Sequence, residues 1–103
     1  HIDRIAERGT TFLNSYCNSP VCGPSRASMM TGRLPSNIGV YDNAGEFLSS
    51  EPTYAHYLRM LGYQTSLVGK MHFVGPDQLH GFERRLTTDI YPSDYGWTAD
   101  WSQ

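Results

Sequence analysis

The sequence predicts an α/β layered fold with a largely parallel sheet flanked by helices. Three observations carry that expectation. Runs with helical apolar spacing alternate with short β-branched and aromatic runs, in the order helix, strand, helix, strand. Proline and glycine fall at the boundaries between those runs. After the last strand the chain turns loop-like and aromatic, where sheets of this kind place their ligands.

The elements follow in order. HIDRIAERG sets Ile2, Ile5 and Ala6 on one helical face and Gly9 at a left-handed C′ position, so a helix ends there. TTFLNSYC (10–17) has the content of a strand. NSPVCGP is a loop broken by Pro20, Gly23 and Pro24. Pro24 suits a first helical turn, so PSRASMMTG predicts a short helix closed by Gly32. The Pro, Gly, Asn and Ser content from Arg33 to Ser50 predicts a long irregular segment. In PTYAHYLRMLG, Tyr54, Tyr57, Leu58 and Leu61 stand at i, i+3, i+4 and i+7 between Pro52 and Gly62, which predicts a helix. YQTSLVG (63–69) predicts a strand, and the residues beyond Lys70 read as loops.

Composition bounds the function. At 103 residues the chain is the size of one small domain. A net charge of −2 and a pI near 6.0 give no electrostatic case for a nucleic-acid partner. No apolar run approaches the roughly 20 residues a membrane helix needs, so no membrane partner is expected. The chain opens without methionine and ends in ADWSQ with no evident stop, so it reads as an excerpt of a longer protein. Cys17 and Cys22 make no disulfide framework, and Cys17 reads as a reduced thiol, in keeping with a cytoplasmic location.

Four groupings can carry chemistry. Cys22 stands just before the expected helix start, where unpaired N–H groups favour a thiolate or a bound oxyanion. Arg26 lies about one turn on, and its fork suits such an anion. A buried cap residue and a solvated arginine would show the same pattern. Lys70 and His72 follow an apolar strand at i and i+2, so on extended backbone they address one site with a charge and a proton carrier. A solvated lysine and a loop histidine fit that spacing as well. A zinc site from Cys17, Cys22, His56, His72 and His80 is disfavoured, because the histidines lack the tight pairing of structural zinc. Last, Tyr91, Tyr95, Trp97 and Trp101 crowd a loop beside Asp89, Asp94 and Asp100. That composition suits a quaternary ammonium, and it equally suits ordinary aromatic packing.

CGPSRASMMTG resembles the sulfatase pattern Cys-x-Pro-Ser-Arg followed by Thr-Gly, and GKMH resembles that family's Gly-Lys-x-His element. Within the family, GVYDNAGEF, PTYAHYLRMLGY and GKMHFVGPDQLHGFERRLTTDIYPSDYGW are similar to the choline sulfatases. The resemblance implies an alkaline-phosphatase-like α/β fold, with residues 1–103 an N-terminal portion of the catalytic domain. It implies that Cys22 is converted to formylglycine by a maturation enzyme. One hydroxyl of the hydrate would attack the sulfate ester and the other would later expel sulfate. Cys22, so modified, would also contact a divalent cation, usually calcium, whose other ligands fall outside the chain. By the same resemblance Arg26 would hold the formylglycine, Lys70 the sulfate, and His72 the diol or the sulfate. Trp97 and Asn43 would contact choline. The implied reaction is hydrolysis of choline O-sulfate, an osmoprotectant, by a cytoplasmic homo-oligomer. Phosphonate monoester hydrolases share the Cys-Gly-Pro start and stay open as an alternative, as does a non-catalytic module in which Cys22 remains a thiol.

Overall fold

The computed structural model describes residues 1–87. Four helices and two short strands follow one another: α1 (Ile2–Ala6), α2 (Cys22–Thr31), α3 (Pro35–Ile38), α4 (Tyr54–Met60), β1 (Ser66–Leu67) and β2 (Arg84–Arg85). The strands pair in parallel, Ser66 opposite Arg84 and Leu67 opposite Arg85. The α/β class with a parallel sheet is therefore present in the chain itself.

The helix expected from Pro24 begins two residues earlier, at Cys22. Val21 is its extended N-cap (φ −108°, ψ 138°), and the Ser25 N–H donates to the Val21 carbonyl at 3.1 Å. Pro24 has no N–H to contribute, and a first-turn residue needs none, so the helix extends upstream of the proline. Gly32 ends it as expected: at φ 70° it is left-handed, and its N–H closes on the Ser28 carbonyl at 2.8 Å. α4 also matches its periodicity. Its Thr53 N-cap is fully buried, and the Thr53 N–H donates to His56 Nδ1 at 3.1 Å. His56 thus serves the helix cap through Nδ1.

Three expectations change. The 10–17 strand is not formed, and Phe12, Leu13 and Tyr16 are 78–90% exposed. β propensity needs a neighbouring ladder to act on, and among the described residues the sheet is β1 with β2 alone. The 63–69 strand shortens to Ser66–Leu67 because its partner is equally short. That partner, β2, lies in a stretch read as loop: two arginines give no apolar alternation to find it by. Within the irregular 33–50 segment, Pro35 starts the one-turn α3, and Gly39 at φ 72° stops it.

One core ties these pieces together. Ala27 and Met30 from α2 pack with Ile38, Val40, Phe47, Ala55 of α4, Leu67 of β1, and Met71, Phe73 and Phe82 from the segment between the strands. The N-terminus of α2, the 41–45 loop and the segment leaving β1 converge at its edge, and the site is built there.

Candidate active site

The first turn of α2 carries Cys22, and glycine at its second position lets another loop approach. A Cβ on Gly23 would lie 3.1 Å from the Asp42 carbonyl oxygen and 3.2 Å from Asn43 Cα. The approaching loop is held by Asp42, whose Oδ1 accepts the N–H groups of Ala44 (2.9 Å) and Gly45 (2.8 Å). Asn43 is thereby set against the helix end. Its Oδ1 accepts the Gly23 N–H at 2.8 Å, satisfying one of the helix's unpaired donors, and lies 3.2 Å from Cys22 Sγ.

His72 closes the other side. It is buried, and its φ of 57° is in the left-handed region that non-glycine residues enter only when their surroundings enforce it. Its Nε2 is 2.9 Å from the Asn43 backbone oxygen. A carbonyl only accepts, so Nε2 carries the hydrogen. In the neutral ring Nδ1 then presents its lone pair to Cys22 Sγ, 3.2 Å away. Lys70 Nζ donates toward the same sulfur at 3.8 Å. Spacing alone predicts that Lys70 and His72 meet at one site, and they do. The cause differs, because the left-handed turn at His72 replaces the extended backbone that i, i+2 geometry assumes.

Arg26 makes a contact that one-turn spacing does not suggest. Its NH1 donates to the Lys70 backbone carbonyl at 2.6 Å, so the guanidinium ties α2 to the loop that carries the lysine. Beside it a surface cavity of about 370 Å³ opens onto Cys22, Ser25, Arg26 and Met29. Cys17 lies on the rim of that cavity as a free, exposed thiol. Trp97 and the other residues of the 89–101 aromatic and acidic loop lie outside the described residues. Sequence reasoning missed that Asn43 touches Cys22. The signal was its place in a Tyr-Asp-Asn turn, but the partner is 21 residues away and only the fold supplies it.

Among the described residues no group of three or more His, Cys, Asp or Glu is gathered for a metal ion. Calcium takes about 6–8 oxygens, and this set does not fit it. A formylglycine at position 22 does fit. The thiol has one hydrogen for the two acceptors, Asn43 Oδ1 and His72 Nδ1, that stand 3.2 Å from it. A geminal diol has one for each.

The family model for sulfatases matches residues 1–99. The chain belongs to the sulfatase family. It is 63% identical over 101 residues to a choline-sulfatase of Rhizobium meliloti, an alignment that covers 98% of this chain and 20% of the relative. It is 39% identical over 83 residues to an N-acetylglucosamine-6-O-sulfatase of Bacteroides thetaiotaomicron, covering 81% of this chain and 14% of that one. A structure solved in complex with its substrate, D-glucosamine-2-N,6-O-disulfate, superposes with a TM-score of 0.74 at 38% identity, over 82% of this chain and 17% of that chain. The alkaline-phosphatase-like α/β fold of the sulfatases is thus the fold of this chain. The chain spans about a fifth or less of the length of these relatives.

Proposed function

We propose that this chain supplies the nucleophile end of a sulfuric ester hydrolase whose substrate is choline O-sulfate, and that Cys22 acts there as formylglycine. The observation that carries the reading is the ring of groups on Cys22 Sγ: Asn43 Oδ1 and His72 Nδ1 each at 3.2 Å and Lys70 Nζ at 3.8 Å, around a helix N-terminus. The choice of choline sulfate is supported by 63% identity to a choline-sulfatase, against 39% to a sulfatase of a sugar sulfate.

When formed, a hydrated formylglycine supplies one hydroxyl to attack sulfur and a second through which the aldehyde is regenerated. The remaining work falls to the chain's own residues. His72, its tautomer fixed by the Asn43 carbonyl, holds a proton acceptor at position 22 and can take or return one proton there. Asn43 Oδ1 orients the second hydrogen. The Lys70 ammonium offsets negative charge as it develops on the ester, and Arg26 fixes the backbone from which that lysine reaches. Such fixed charges need no reorganisation as the reaction proceeds.

The reading includes a maturation enzyme that converts Cys22, a divalent cation held mainly by residues outside this chain, and a cytoplasmic homo-oligomer. Two measurements on the full-length protein test it. Mass spectrometry of the tryptic peptide ending at Arg26 is expected to show formylglycine at position 22, and cysteine throughout would remove the mechanism. Choline sulfate should be turned over in preference to a phenylphosphonate ester; the reverse order would assign the protein to the phosphonate hydrolases.

A further inference from the structure

Outside the site, His80 is the most unusual side chain among the described residues. It is fully buried, and among the described residues neither ring nitrogen has a hydrogen-bond partner. A buried imidazole left unpaired costs more than a hydrocarbon ring of the same shape, so filling space does not explain it. The ring is stacked on Phe47 (centroids 4.1 Å apart, planes at 19°) and stands edge-on to Phe73 (4.5 Å, 62°). Nδ1 lies 3.5 Å from Asp77 Oδ2, while Asp77 Oδ1 accepts the His80 backbone N–H at 3.0 Å.

The backbone at this point is equally constrained. His80 is left-handed at φ 40°, and its carbonyl accepts the Thr53 hydroxyl from the cap of α4 at 2.6 Å. A Cβ on the next residue, Gly81, would meet the His56 backbone nitrogen at 2.7 Å, which leaves the corner no slack. His80 therefore joins α4, the Phe47 segment and the 71–82 loop. Phe47 also donates its N–H to the Val74 carbonyl at 3.0 Å, so both faces of the stack are tied to that loop. The loop carries His72, and the ring against His80 belongs to the very next residue, Phe73. The stack thus fixes the residue that follows the left-handed backbone of His72.

We propose that His80 is a positioning residue for the site: as a neutral ring it locks the 71–82 loop and, through Phe73, the orientation of His72, and a proton on His80 releases that lock. The proposal rests on the reading of His72 as part of the active site. Burial holds the His80 pKa below the ordinary histidine value. Asp77, on its own loop, pulls the other way, while His56 of α4 and Arg85 of β2 push with burial. With the folded value depressed, stability from the neutral ring is complete above the ordinary value of about 6.5 and is lost as pH falls from there through the folded value.

The test uses the full-length protein, with His80→Phe and His80→Gln, following Tm and aryl sulfate kinetics from about pH 8 to pH 5. His80→Phe keeps the stacking ring and cannot titrate. Its kcat at neutral pH should stay within about threefold of wild type, and the ratio of variant to wild-type kcat should rise as pH falls below about 6.5. Its Tm should lose about 2 °C or more less than wild type over that window. His80→Gln lacks the stacking ring and should lower kcat about tenfold at neutral pH with KM unchanged, the gap to wild type narrowing as pH falls. An acid response in His80→Phe identical to wild type, or full kcat in His80→Gln at neutral pH, would overturn the proposal. If His80→Phe does not fold, histidine NMR of the wild type decides: a His80 signal titrating at or above about 6.5 overturns the lock, and one titrating below it supports it. Wild-type protein inactive on every sulfate ester would instead sink the proposed function, while the difference in acid stability would still report on His80.

Discussion

A thiol has one hydrogen to give, yet Cys22 Sγ stands 3.2 Å from each of two acceptors, Asn43 Oδ1 and His72 Nδ1. The two are not equivalent. His72 reaches Asn43 through the backbone carbonyl, so replacing the Asn43 side chain leaves that hydrogen bond, and the tautomer it fixes, in place. Asn43→Ala therefore removes one of the two acceptors on Cys22, together with the partner of the Gly23 N–H. With a side chain at position 22 that needs both, kcat should fall by ~10² while KM stays near wild type, since the lost contact orients the nucleophile. Steady-state kinetics of the full-length variant on choline sulfate check this. A raised KM at unchanged kcat would place Asn43 on the substrate, the role its resemblance to the family implies. Here Lys70 and His72 were legible in the sequence as one site, while Asn43 was not legible as a neighbour of the cysteine. The sequence could not show the division of labour between them, because that depends on contacts spanning 21 and 50 residues.

At the scale of the element, α2 does two things: its first turn presents Cys22, and its second turn, through Arg26, holds the Lys70 carbonyl at 2.6 Å. An arginine that served only the anion would cost activity when removed and leave stability alone. An arginine that ties a helix to a loop costs both. Arg26→Ala should lower stability by about 1–2 kcal/mol, the low part of the range for charge-assisted hydrogen bonds because the residue is half-buried. It should also lower kcat, as Lys70 loses its fixed base. Arg26→Lys should recover less than half of the stability, since an ammonium lacks the planar fork. Denaturant titration beside kinetics checks both halves, and unchanged stability in Arg26→Ala would return the residue to the anion. The ends of α2 and α4 were legible to within a residue or two because caps, prolines and glycines act locally. The strands were not. TTFLNSYC has the composition of a strand and forms none, while Arg84–Arg85 has none of it and pairs, because a ladder is a property of two segments.

For the whole molecule, the chemistry of the sulfate end and the identity of the substrate belong to different parts of the chain. On the proposed reading, Cys22, Asn43, Lys70 and His72 would treat any sulfate ester alike, since their contacts converge on position 22 and none is selective for a cation. Discrimination must come from what meets the other end of the ester. The composition of residues 89–101, four aromatic rings among three aspartates, suits a trimethylammonium group, and the resemblance to choline sulfatases implies that Trp97 is the ring that meets it. These residues lie outside the described ones, so the test has to be chemical. Trp97→Ala in the full-length protein should raise KM for choline sulfate roughly tenfold, the effect of losing one desolvated cation–π contact, with kcat changed little. Small aryl sulfates carry no cation and should be unaffected. The sharper control is 3,3-dimethylbutyl sulfate, which keeps the shape of choline sulfate and removes its charge. Wild type should prefer choline sulfate to this isostere, and Trp97→Ala should lose most of that preference. If the substitution weakens both esters equally, Trp97 contributes packing alone, and the cation must be recognised elsewhere.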